Sequence, residues 1–130
     1  MNSLSKKIIA LTLVVTSSAV IASPKQLITH NNTDVDSNAY VAGTIPSQHP
    51  TKAHSESKVF WTSVRMACYG HTVDGKCPAL IKMGTNTPEP VDLGVVELDL
   101  NTGDITPTEL HGNGYTMTVN GAGETTLTKD

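Results

Sequence analysis

Aromatic residues are scarce in this 130-residue chain: one tryptophan, one phenylalanine and three tyrosines. Rings supply much of the apolar area of small cores, so a core built here stays marginal without a further staple. Cysteine occurs only at Cys68 and Cys77, which allows one intramolecular bridge. Their spacing is not the C-x-x-C of thiol oxidoreductases. A structural zinc site needs four ligands at a module spacing, which Cys68, Cys77, His71 and a further histidine do not provide. No serine follows Ser63, and no lysine or arginine occurs from Met83 to Thr128. The first absence leaves few nucleophiles. The second, with Glu89, Asp92, Glu97, Asp99, Asp104, Glu109 and Glu124 in the same stretch, removes the basic patch that nucleic acid or anionic lipid requires.

What is present begins with export. Lys6 and Lys7 precede an apolar run, Ile8–Val15, then small residues, and Val20-Ile21-Ala22 suits a signal peptidase. Residues 1–22 are read as a signal peptide cleaved after Ala22, since a cut one residue later would place Pro24 next to it. A spanning helix needs about 20 apolar residues, and this run is shorter and broken by Thr12, Thr16, Ser17 and Ser18. No membrane span is therefore expected after signal removal. No cysteine stands at the cleavage site, which argues against a lipoprotein. Export accounts for a disulfide, because bridges persist in oxidising compartments. Loss of Lys6 and Lys7 takes nine basic residues to seven against twelve acidic ones, a net charge of −5. The expected localisation is secreted or periplasmic.

Residues 23–57 are polar, hold Pro24, Pro46 and Pro50, and show only the short apolar clusters Leu27-Ile28 and Tyr40-Val41-Ala42. Such a segment buries too little apolar surface to offset chain entropy, so it reads as a flexible arm, with residues 39–45 as one additional strand. Asn31-Asn32-Thr33 formally fits the N-glycosylation pattern.

From Lys58 the texture changes to alternation. Phe60, Val64, Met66 and Cys68 share one parity, as do Cys77, Ala79, Ile81 and Met83. If the cysteines face each other in an antiparallel hairpin, Met66 meets Ala79, Val64 meets Ile81 and Thr62 meets Met83, all on the bridge side. A one-residue slip would split the two sets between faces. Trp61 would then lie outside, over Gly84. A helix over the first run is the alternative, since Phe60, Val64 and Cys68 are also four apart, Ser55 suits a cap and Gly70 a stop. The β-branched and aromatic content of Val59-Phe60-Trp61-Thr62 favours strand.

Further on, Val96, Leu98 and Leu100 face in, and Glu97 and Asp99 face out. Asn101-Thr102-Gly103-Asp104 is a hairpin turn by composition, with Leu100 aligned to Ile105. Pro107 belongs at a sheet edge or bulge. His111-Gly112-Asn113-Gly114 reads as a break. Gly121-Ala122-Gly123 reads as a three-residue loop with Gly123 left-handed, which sets Met117 opposite Leu127 and Val119 opposite Thr125. The fold class is thus all-β: a small antiparallel meander or sandwich of about six short strands over residues 58–130, stapled by Cys68–Cys77 and preceded by the signal peptide and the arm. A ten-residue cysteine ring contributes about 2.7 kcal/mol in the chain-entropy description.

No catalytic constellation emerges. The five histidines, His30, His49, His54, His71 and His111, show no i, i+4 pairing and no H-E-x-x-H arrangement, so no metal or other cofactor is assigned, and they read as solvated surface groups. Ser63 lacks a glycine-flanked elbow. Glu97 and Asp99 read as the outer face of a half-buried strand rather than an acid–base pair. Asp99–Asp104 echoes a calcium loop, but Gly103 is fifth rather than sixth and Leu110 stands twelfth where glutamate belongs. The expected function is that of an exported, non-enzymatic β-module acting by protein–protein or cell-surface contact in the bacterial envelope or outside the cell. Its expected contact loop carries Tyr69, His71 and Val73 between the cysteines. A small enzyme inhibitor, or a hydrolase with a site assembled in three dimensions, is the competing reading.

Overall fold

The structure is a computed structural model that describes residues 22–130. The expected signal peptide lies outside the described residues but for Ala22. The first sheet contains β1 (Gln26–Asn31), β4 (Ser55–Phe60), β8 (Glu109–Gly112), β9 (Tyr115–Gly121) and β10 (Glu124–Lys129), in the order β4-β1-β10-β9-β8. The second contains β2 (Ser37–Val41), β3 (Ile45–Pro46), β5 (Lys76–Met83), β6 (Val91–Asp99) and β7 (Ile105–Thr106), in the order β3-β2-β5-β6-β7. One helix, α1 (Trp61–Cys68), follows β4 without a loop. Met117 and Leu127 of the first sheet and Val41, Met83, Leu93, Val96 and Leu98 of the second share one core, which makes the fold a β-sandwich. Among the described residues no helix is long and apolar enough to cross a membrane.

The segment 23–57 is not an arm. It supplies β1, β2, β3 and the start of β4, and so parts of both sheets. β1 pairs in parallel with β10 and antiparallel with β4, placing the N-terminal and C-terminal strands side by side. The domain therefore extends well upstream of residue 58, and its described residues hold ten strands rather than about six. The polarity that suggested an arm is internal. Asn31, Thr33, Ser37 and Thr51 are all buried. The Asn31 amide donates to the carbonyls of Val35 (2.8 Å) and Thr51 (3.2 Å), and its Oδ1 accepts from the Thr33 hydroxyl (2.7 Å) and backbone N–H (3.0 Å). Buried polar groups satisfied in this way carry little penalty, yet they erase the apolar signature of a strand. Asn31 is also fully enclosed, so the glycosylation pattern has no accessible acceptor in the folded chain.

The run Trp61–Cys68 is helical, not a strand. Trp61, Val64 and Cys68 are buried at i, i+3 and i+7, while Met66 is 77% exposed. The parity that placed Met66 inward was coincidental. The β-branched and aromatic content at Val59-Phe60 serves the end of β4 instead. Trp61 does not cover Gly84; its indole N–H donates to the Leu100 carbonyl at 3.0 Å, and its backbone N–H to that of Lys25 at 2.9 Å. β5 buries Cys77 and Met83 on the expected face, with Ala79 and Ile81 packed against the core, but it pairs with β2 and β6. The bridge between Cys68 and Cys77 is present, joining the end of α1 to β5 with Cα atoms 5.9 Å apart.

Elsewhere the alternation is obeyed. Met117 faces Leu127 and Val119 faces Thr125, with Gly123 at φ +66°. The β6–β7 hairpin aligns Leu98, not Leu100, with Ile105. Leu100 is drawn aside because its carbonyl receives Trp61 and Arg65 and its N–H donates to Gly75. β7 is an edge strand with Pro107 just beyond it. Asn113 and Gly114, read as a break, form the two-residue turn between β8 and β9, both at positive φ.

Candidate functional site

The disulfide loop is backbone-tied and outward-facing. The His71 N–H donates to the Cys68 carbonyl at 2.9 Å, and Val73 and Lys76 exchange bonds of 2.9 and 3.0 Å around a turn with Asp74 and Gly75 at positive φ. Tyr69 and Val73 are 86% and 70% exposed, and His71 is exposed as well. Tyr69 joins Met66 and Arg65 around a shallow surface hollow. Of the six large apolar side chains left exposed among the described residues, Phe60, Met66, Tyr69 and Val73 all fall on α1 and its flanks. The exposure is concentrated in one segment rather than scattered, and scattered single residues would need no explanation.

No described hydrogen bond or ion pair connects His71 or His111 with Ser63. His111 instead holds Thr116 Oγ1 at 2.8 Å through Nδ1 and Glu109 at 3.2 Å through Nε2, and the Thr116 hydroxyl donates to Asp130 at 2.6 Å. His30 is no solvated surface group: it lies between Glu124 (2.6 Å) and Glu56 (3.3 Å), tying β10 and β4 across β1. No group of three or more histidine, cysteine or acidic side chains suited to a metal ion occurs among the described residues. Asp99 spends its carboxylate on its own turn. The Asn101 and Thr102 backbone N–H groups donate to it at 2.9 and 3.2 Å, holding its pKa below the usual carboxylate value, with a smaller contribution from Lys76.

Sequence reasoning missed a cavity of about 480 Å³ between the sheets. It exists because the facing strands carry short side chains there. Leu27 pairs with Val59 and Thr29 with Ser57 on one wall, and Ala39, Val41, Ala79 and Ile81 stand on the other. Its floor reaches buried Leu98, Met117 and Leu127. Its mouth lies where Ile45, Gln48 and His49 face Met66 and Ala67 of α1, all five exposed. Thr51, Ser57 and Ser37 also line it: the Thr51 and Ser57 hydroxyls bond at 2.9 Å, and the Ser37 hydroxyl donates to the Lys82 carbonyl at 3.0 Å. At roughly 24 cal/mol per Å³, a closed dry void of 480 Å³ would cost about 12 kcal/mol. That equals the whole stability of a small domain. The opening to solvent relieves part of this cost, although a largely aliphatic wall offers water few partners. The scarcity of rings in the sequence was the available signal.

The family model described as "T2SS substrate NttC" matches residues 1–130. The chain belongs to this family. Among solved structures, the crystal structure of the Legionella pneumophila type II secretion system substrate NttC is 57% identical, with a TM-score of 0.82, over 83% of this chain and all of that one. No curated protein matches the chain. Family membership makes the protein a type II secretion substrate and accords with the expected export.

Proposed function

We propose that the protein is a non-enzymatic secreted module, released after cleavage behind Ala22, that acts outside the producing cell by contact with another protein. The contact face is α1 with the disulfide loop. The observation that carries this reading is the concentration of exposed apolar side chains at Phe60, Met66, Tyr69 and Val73. Arg65 and Lys76 lie in the same segment against one acid, Asp74, although the chain is acidic as a whole. A partner surface with apolar and acidic groups is complementary to such a face. The bridge and the Val73–Lys76 turn hold the loop before any partner arrives, which lowers the entropic cost of binding. An inhibitor is the special case in which this loop enters a partner's cleft.

The test is site-specific photocrosslinking from position 69 and from Thr126 on the first sheet, in host and envelope extracts, followed by titration of the captured partner. Capture should occur from position 69, and Tyr69→Ala with Val73→Ser should weaken binding while the melting temperature stays unchanged. Parallel loss of folding and binding would make the loop purely structural.

A further inference from the structure

We propose that the inter-sheet cavity is a binding site for one aliphatic chain of a lipid-type ligand, with the ligand's polar head at the mouth between residues 45–49 and α1. The cavity shares Met66 and α1 with the contact face at its lip, but the chain site inside it stands on different observations.

The wall selects the chemistry. Its lining contains no phenylalanine, tyrosine or tryptophan and no carboxylate, lysine or arginine, and its cysteines are bridged. Only His49, at the exposed mouth, is titratable. A planar ring would find no stacking partner inside, and a charged group would enter without a counter-charge. A hydrocarbon chain meets Leu27, Val59, Val64, Ile81, Met117 and Leu127. Shape agrees with chemistry. Stacked sheets stand about 10 Å apart, so space vacated by short side chains between them is a flat slot rather than a round pocket. The volume falls within the range of about 300–1,000 Å³ common to small-ligand sites. Gln48, His49 and Ser47 stand at the entrance and Leu98, Met117 and Leu127 form the buried floor, with buried Ser37, Thr51 and Thr125 as polar points in the wall. Met66, exposed at the lip, has the unbranched, adaptable side chain that suits a portal for apolar groups. At the polar end, the Ser37, Thr51 and Ser57 hydroxyls are already bonded within the protein.

The experiment uses the secreted protein expressed from the full chain and cis-parinaric acid as fluorescent probe, with competitors held below their micellar concentrations. Saturable binding is expected, with displacement by monoacylglycerol and by lysophosphatidylcholine of similar chain length. A difference between these two competitors reports the head group accepted at the mouth, and displacement by either supports the chain site. Ala39→Leu and Ser57→Leu, which place added side-chain volume in the cavity wall, should each weaken probe binding. Tyr69→Ala should leave probe binding unchanged. Should a filling variant fail to fold, methyl resonances of the unaltered protein decide. Probe-induced shifts at Leu127 and Met117 support the site, and shifts confined to the 69–73 loop overturn it. Absence of saturable binding, or full binding in the folded Ala39→Leu and Ser57→Leu proteins, also overturns it.

Discussion

The two ends of the inter-sheet layer are built differently. Along β6 and at the flank of α1, Trp61, Met83, Leu93, Val96, Leu100 and Ile105 are buried and stand outside the cavity lining. Between β1–β4 and β2, the inward positions include Thr29, Ser57, Ser37 and Ala39 beside Leu27, Val59 and Val41, and the layer is hollow. Both ends follow the same in-and-out alternation. Short side chains line much of the hollow end, and the chain has few rings with which to fill it. The hollow end is nevertheless held: the Asn31–Thr33–Thr51 network closes its polar side with satisfied hydrogen bonds.

Truncation at the filled end should do the most damage. Met83→Ala removes a fully buried side chain outside the cavity lining, and chemical denaturation should show a loss of about 2–5 kcal/mol. The bridge comes next. Cys68→Ala/Cys77→Ala should lower stability by about 2–3 kcal/mol, read by thermal melting; an unchanged melt would mean the bridge contributes nothing to stability. Asn31→Ala should cost about 1–3 kcal/mol by leaving buried groups unpaired, which denaturant titration resolves. Ala39→Leu tests the contrast directly, since enlargement at the hollow end should change stability by less than about 1 kcal/mol, whereas overpacking a filled core costs about 1–3 kcal/mol. A loss as large as that from Met83→Ala would erase the distinction.

The smallest effect concerns pH. Asp99 has a folded pKa below its ordinary value because two backbone N–H groups favour the carboxylate. Its contribution is therefore present above the ordinary carboxylate pKa and lost as pH falls through the lowered one. Asp99→Asn should flatten the acid limb of the stability profile slightly and leave neutral stability almost unaltered, as acid titration of the melting temperature would show.

Much of the C-terminal half was legible. Tyr115–Lys129 alternates cleanly, and its register follows once Gly123 is taken as left-handed. The Leu98–Ile105 alignment was not legible, because Trp61 and Arg65, distant in sequence, claim the Leu100 carbonyl. Helix and strand could not be separated at Trp61–Cys68 by periodicity, since eight residues satisfy both patterns. The exposed loop at Tyr69, His71 and Val73 was visible as a polar, glycine-containing interruption. The cavity was not, because it arises between strands that are far apart in the chain.

The sequence by itself determined an all-β chain with one possible bridge, an acidic net charge and the terminal hairpin register, and it raised the expectation of export. Those properties are local or compositional: alternation, turn residues, charge and cysteine count. Tertiary structure decided that residues 23–57 belong to the sandwich, that Trp61–Cys68 coils, and where the core is empty. Each of those depends on partners supplied from elsewhere. β10 completes β1, the Leu100 carbonyl anchors Trp61, and two walls of short side chains make a cavity only when the sheets bring them face to face.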